Sequence, residues 1–167
     1  MEIDVREVEQ EDLAVVEELI QPSYGRTLSD ELSDQKLGIL SLLIAWVDLK
    51  AMGYGFVRWD GARSDYVREQ KPGLPEFYRL TVQESFQSMG VGTKIIQYFE
   101  SLAVSRGIDA MGLGVSYSNN RAYELYRRLG YHESVAEYYD IYKHVDVNGG
   151  IHEVKEKCRY MEKELAA

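Results

Sequence analysis

Residues 87–92 read Gln-Ser-Met-Gly-Val-Gly and stand between two segments of opposite character. Upstream, Phe77, Tyr78, Leu80, Thr81 and Val82 are β-branched, aromatic or aliphatic, the composition of a strand. Downstream, Val91, Ile95, Phe99 and Leu102 recur at helical spacing, with Ile96 and Ala103 widening the apolar stripe. Arg106 suits a last helical turn and Gly107 a stop. A strand, a glycine loop and a helix start converge backbone N–H groups on one point. The helix N-terminus adds about half a positive charge and several unpaired donors. A phosphate binds such an arrangement readily; the alternative is a strand-to-helix turn whose glycines serve packing alone. Gly90 and Gly92 carry no Cβ, so an anion can come close to the backbone.

The kind of phosphate ligand is narrowed by what is missing. A dinucleotide fingerprint needs a third glycine where Ile95 stands. A P-loop needs Gly-Lys-Ser/Thr at a fixed distance after its first glycine, and the sequence has none there.

A second stretch, residues 119–131, reads Asn-Asn-Arg-Ala-Tyr-Glu-Leu-Tyr-Arg-Arg-Leu-Gly-Tyr. Asn119 is a good N-cap, Ala122, Leu125, Tyr126 and Leu129 share one helical face, and Gly130 suits the C′ position. The first stretch resembles the Gln/Arg-x-x-Gly-x-Gly pyrophosphate loop of the GNAT acetyltransferase superfamily. The second resembles its Asn-x-x-Ala-x-x-Leu-Tyr-x-x-x-Gly-Phe segment, with Tyr131 in place of Phe. The two occur in the family's order, separated by one strand, and the likeness runs from about Glu76 to Tyr131.

The resemblance implies acetyl-CoA as co-substrate, held by Gln87, Ser88, Met89, Gly90, Val91, Gly92 and Thr93, with Asn119, Ala122 and Tyr126 from the second segment. Ser88 departs from the usual glycine but still offers an N–H and a hydroxyl. Leu80, Thr81 and Val82 are implied to pair their backbone with the pantetheine arm, as in strand addition. The Val82 amide is implied as oxyanion donor. Tyr126 stands where the family places the acid that protonates the departing thiolate. Glu76 stands where histone-type members carry a glutamate base; others use water chains or residues elsewhere, and Glu84 is an alternative. Strand alternation would put residues 76, 78, 80 and 82 on one face. The acceptor pocket is implied to lie between residues 21–38 and a last hairpin near Asn148, with Tyr24, Asp30, Glu31, Asp34, Tyr138 and Tyr139 as wall candidates.

The 167 residues are enough for one domain, expected to span residues 1–167. Residues 2–8 read as a strand, and a helix runs from Glu11 to Ile20, where Pro22 ends it. A short helix is expected at 30–37, strands at 42–49 and 53–59 with a turn at 50–53, then a charged loop over 60–75. A strand at 76–82, the motif helix, a strand at 109–115, the second motif helix and a hairpin with arms 135–147 and 151–161 complete the chain. Asn148-Gly149 is the hairpin signal. Glycines 112 and 114 weaken their strand but would admit a ligand to the backbone. The fold class is α/β in the mixed α+β sense. It fits the GNAT fold, a mostly antiparallel twisted sheet of about seven strands and about four helices. A splayed strand pair around the cofactor is implied by the resemblance.

The net charge of −9 argues against nucleic acid or an anionic membrane as partner and is compatible with steering a cationic amine. Neither an apolar run of spanning length nor a signal-peptide pattern occurs. Cys158 is the only cysteine, so a cytoplasmic protein without an intramolecular disulfide is expected. His132, His144 and His152 have no metal-ligand spacing, and no metal is expected. A homodimer stays open. The function expected is N-acetyl transfer from acetyl-CoA by direct attack of a primary amine, on a small polyamine, an amino-sugar-like molecule or a protein. The alternatives are a non-catalytic acyl-CoA sensor or partner module of the same fold, and a structural domain without cofactor.

Overall fold

The computed structural model describes residues 1–20 and 24–166. Its elements are β1 (Asp4–Glu7), α1 (Leu13–Val16), α2 (Leu28–Lys36), β2 (Leu40–Val47), β3 (Lys50–Arg58), α3 (Asp65–Gln70), β4 (Glu76–Val82), α4 (Val91–Ser105), β5 (Ala110–Ser116), α5 (Asn120–Arg128), β6 (His132–Val145) and β7 (Ile151–Glu164). Seven strands form one sheet in the order β1-β2-β3-β4-β5-β7-β6. Only β4 and β5 run parallel. They pair at Glu76 and Gly112 alone and then diverge, the splayed pair the fold requires. Two apolar layers sandwich the sheet. One joins α4 to Leu43, Ala45, Val57, Phe77, Met111, Leu113 and Met161; the other packs Val16, Ile20, Leu28 and Leu32 on Leu42, Ile44 and Phe56.

Several expected boundaries move, each for a local reason. The first helix is α-helical only over Leu13–Val16, behind a 3-10 turn at Gln10–Asp12. The N–H groups of Leu19 and Ile20 both turn to the Val16 carbonyl, at 3.0 Å each, which tightens the end. The stop assigned to Pro22 lies outside the described residues. Helix α2 starts earlier than expected because Thr27 and Asp30 form a reciprocal capping box. The β2–β3 turn is Asp48-Leu49, both at positive φ (49° and 66°), rather than residues 50–53. Two positive φ values match a tight primed hairpin turn, but neither residue is the glycine or asparagine that announces one. A fifth helix, α3, occupies the charged loop; Ser64 caps it by accepting from the Val67 N–H at 3.4 Å.

The most consequential difference lies in β4. Phe56 pairs with Tyr78 and Tyr54 with Thr81, so β4 holds one more residue than β3 across that interval. The bulge falls at Arg79, whose φ is +54°. Alternation breaks there. Tyr78 packs with Phe56 on the α2 side, whereas Leu80 and Val82 join Phe77 on the α4 side. Residues 76, 78, 80 and 82 therefore do not share a face.

The glycines of β5 also serve a different end from ligand approach. A Cβ at Gly112 would meet the Tyr160 ring at 2.5 Å, and one at Gly114 would strike the Tyr138 hydroxyl. They make room for two tyrosines of the β6–β7 hairpin.

Candidate active site

Strand β4 ends at Val82, a 3-10 turn at Glu84–Phe86 follows, and the chain enters α4 through residues 87–90. Gly90 is the N-cap at φ +87°, a left-handed conformation that suits glycine. No side chain caps α4, and its first helical bond is Lys94 N–H to the Gly90 carbonyl at 3.0 Å. The N–H groups of Val91, Gly92 and Thr93 thus face the loop mouth without a capping acceptor. Ser88 has φ +62°, a conformation that strains a side-chain-bearing residue by about 1–2 kcal/mol. Arg121 from the first turn of α5 donates to Ser88 Oγ at 2.6 Å and to Gln87 Oε1 at 3.2 Å. Gln87 in turn donates to the Val82 carbonyl at 3.2 Å. Asn119 caps α5 by accepting from the Ala122 N–H at 3.1 Å.

These pieces enclose a cleft of about 510 Å³. Of the residues expected around a cofactor, Leu80, Val82, Gln87, Ser88, Gly90, Val91, Gly92, Thr93, Asn119, Ala122 and Tyr126 line it. Thr81 and Met89 do not: Thr81 donates to the Arg79 carbonyl at 3.1 Å, and Met89, within the loop, is half exposed. Phe86, Arg121, Leu125 and Arg128 line it as well. The sequence did carry a signal for the three on α5, since residues 121, 125 and 128 fall on the helical face of Ala122 and Tyr126.

Tyr126 is 8% exposed, edge-on to Phe77 at 5.8 Å between ring centroids. Its hydroxyl has no hydrogen-bond partner among the described residues. Burial pushes its pKa up to about 12, so it stays protonated at neutral pH. Its neighbour Tyr131, by contrast, donates to Glu100 at 2.9 Å.

Glu76 lies on the other side of β4, at 3% exposure. One carboxylate oxygen, Oε2, accepts from the Arg63 backbone N–H at 3.2 Å and from its Nε at 3.1 Å. The Arg63 guanidinium stacks on the Tyr78 ring at 4.4 Å. Burial pushes the Glu76 carboxyl above its ordinary range, and Arg63 opposes that shift without cancelling it. Glu84 sits in the exposed turn after the strand.

A second, wider cleft opens on this side between the segment before α2 and the long hairpin. Arg63, Asp140, Tyr142 and Glu156 line it, with Tyr24 and Arg26 opposite. Of the six wall candidates only Tyr24 lines it. Asp30 caps α2, Glu31 and Asp34 are tied to Arg26, Tyr138 is buried, and Tyr139 lies exposed under Lys155 at 4.4 Å. Among the described residues no helix is long and apolar enough to cross a membrane, and no group of three or more His, Cys, Asp or Glu could hold a metal.

Solved structures share this fold at low sequence identity. An N-acetyltransferase from Staphylococcus aureus superposes with a TM-score of 0.69 at 13% identity, over 99% of this chain and 100% of that one. The PaiA N-acetyltransferase of Thermoplasma acidophilum, in complex with coenzyme A, gives 0.65 at 16% identity, over 98% and 99%. The YncA structure from Salmonella typhimurium with its cofactor acetyl-CoA gives 0.65 at 19%, over 100% and 96%. No curated relative matches the sequence. The model of the acetyltransferase (GNAT) family matches residues 5–131, and the chain belongs to that family.

Proposed function

We propose that this chain is an acetyl-CoA-dependent N-acetyltransferase that acts as one domain and acetylates a primary amine by direct attack. The observation that carries the reading is the composition of the first cleft. It joins uncapped helix N–H groups and two arginines, without a carboxylate lining it, to the hydroxyl of Tyr126, a buried residue whose hydroxyl has no hydrogen-bond partner among the described residues. In a chain of net charge −9 such a lining suits a polyanion. The donor set fits a diphosphate at residues 87–93, and the divergence of β4 from β5 leaves room for the pantetheine arm. Acetyl-CoA supplies an activated acyl thioester.

The chain's own residues supply the rest. Leu80 and Val82 offer strand edge to the arm, with the Val82 amide as oxyanion donor. The Tyr126 hydroxyl gives its proton to the departing thiolate. Glu76 takes the proton from the amine on the opposite side of β4; its raised carboxyl is better matched to that task than an ordinary one. The acceptor enters by the second cleft.

A panel of amines, scored by release of free thiol from acetyl-CoA, tests this reading. Turnover of at least one amine is expected. Binding of acetyl-CoA without thiol release across the panel would leave a non-catalytic acyl-CoA module instead. Absence of any CoA-induced rise in melting temperature would remove the cofactor itself.

A further inference from the structure

The loop at residues 87–93 contains no lysine or arginine. Its cations come from elsewhere: among the described residues lining the first cleft, Arg121 and Arg128 are the only ones, and neither has a carboxylate beside it in that lining. Both stand on α5, seven residues apart, which is two turns and about 10 Å along the same face. Their states differ. Arg121 is committed to the loop, with one Nη on Ser88 Oγ at 2.6 Å and the other on Gln87 Oε1 at 3.2 Å. A guanidinium has five N–H donors, so it retains others for a ligand at the loop mouth. Arg128 makes no hydrogen bond or ion pair among the described residues. One cation is thus anchored where the helix α4 donors converge, and a second stands free two turns away.

A ligand that uses both needs two separated anionic groups. CoA has them in its diphosphate and in the phosphate monoester on its ribose. We infer that α5 is a two-point phosphate reader: Arg121 binds the diphosphate beside residues 87–93, and Arg128 binds the separate ribose phosphate. This rests on the acetyl-CoA reading above and adds selection at the nucleotide end. Arginine suits both posts because its planar fork matches phosphate oxygens.

Isothermal titration with CoA and with 3′-dephospho-CoA tests it, on the wild type, Arg121→Gln and Arg128→Gln, each first shown to keep the wild-type melting temperature. The wild type is expected to prefer CoA by about tenfold, the scale of one charge-assisted hydrogen-bonded contact. Arg128→Gln should bind both compounds equally. Arg121→Gln should weaken both by a similar factor, on the order of tenfold, and should flatten the salt dependence of CoA binding because one cation has gone. Equal wild-type affinity for the two compounds overturns the inference while leaving the cofactor reading intact. So does an Arg128→Gln variant that keeps the preference, or an Arg121→Gln variant that weakens binding with an unchanged salt dependence, since that would make Arg121 a clasp for the loop only. Failure of the wild type to bind CoA at all overturns the cofactor reading itself.

Discussion

The two sides of β4 are built on opposite terms. On the α4 side the polar groups are left open: helix N–H groups lack a capping side chain, and among the described residues neither the Tyr126 hydroxyl nor Arg128 has a hydrogen-bond or ion-pair partner. On the hairpin side the charges are largely answered within the protein. Glu76 meets Arg63, Arg26 binds both Glu31 and Asp34, Tyr142 donates to Glu156 at 2.6 Å, and His152 meets Asp146 at 2.6 Å. Open donors describe a site made for one fixed, highly charged ligand. Paired charges describe a wall whose shape is held by its own salt bridges, and whose guest must compete with them. The bulge at Arg79 divides the two sides, because it turns Leu80 and Val82 to the first cleft while Glu76 stays on the other face.

The largest expected effect breaks the hairpin side. Glu76→Gln should lower turnover by ~10²–10⁴-fold near neutral pH, the scale of a positioned base. Its carboxyl must be ionised to act, and burial raises its pKa, so wild-type turnover should fall as pH drops through that raised value. The variant should lose this acid limb, and its deficit should shrink at high pH, where the amine is already neutral. A pH–rate profile unchanged by the substitution would place the base elsewhere.

Next in size is Tyr126→Phe, which keeps the ring against Phe77 and removes only the hydroxyl. Because that hydroxyl has no hydrogen-bond partner among the described residues, melting temperature and acetyl-CoA affinity should hold while kcat falls on the order of tenfold or more. A fully active variant would remove the acid assignment and leave the cofactor cleft untouched.

The smallest effects compare two helix caps, one on each side. Thr27 caps α2 at the second cleft and Asn119 caps α5 at the first. Each alanine variant should lose about 1 kcal/mol of stability, or roughly 2–4 °C in Tm for a chain of this size. Only Asn119→Ala should also weaken acetyl-CoA binding, measured by titration. Equal affinity losses in the two variants would show that the sides are not separable.

The same contrast explains what the sequence made legible. The first cleft is local: the glycines of residues 87–93 lead straight into the apolar stripe of α4, and residues 119–130 carry a cap, an apolar stripe and a closing glycine, so motif spacing reveals them. The strand at Glu76–Val82 is likewise bounded by its own composition. The second cleft is assembled from residues far apart in the chain, such as Arg26, Arg63 and Asp140, and no local pattern joins them. The bulge was equally hidden, because Arg79 adopts a positive φ that nothing in its side chain announces. The β2–β3 turn has no glycine or asparagine at Asp48-Leu49, and helix α3, though capped by Ser64, is only six residues long, too short to show a helical period among its charged neighbours. Gly112 and Gly114 were visible as unusual strand residues, but the tyrosines they accommodate come from a hairpin more than twenty residues downstream.

The central claim is that the first cleft binds acetyl-CoA at the start of α4, and a substitution at Gly92 tests it more cleanly than one at Gly90. Valine at Gly90 would be strained by the φ of +87° whatever the ligand does. Gly92 has ordinary helical geometry, and a Cβ there meets only Leu80 and Val82, each at 3.8 Å, so bulk can be added at the start of α4 without backbone strain. Calorimetric titration of acetyl-CoA into the wild type and Gly92→Val, at matched melting temperature, is the direct measurement. The account predicts one-to-one binding by the wild type and a loss of at least tenfold in the variant. A wild type that takes up no acetyl-CoA, or a folded variant that binds it as tightly, would contradict the account.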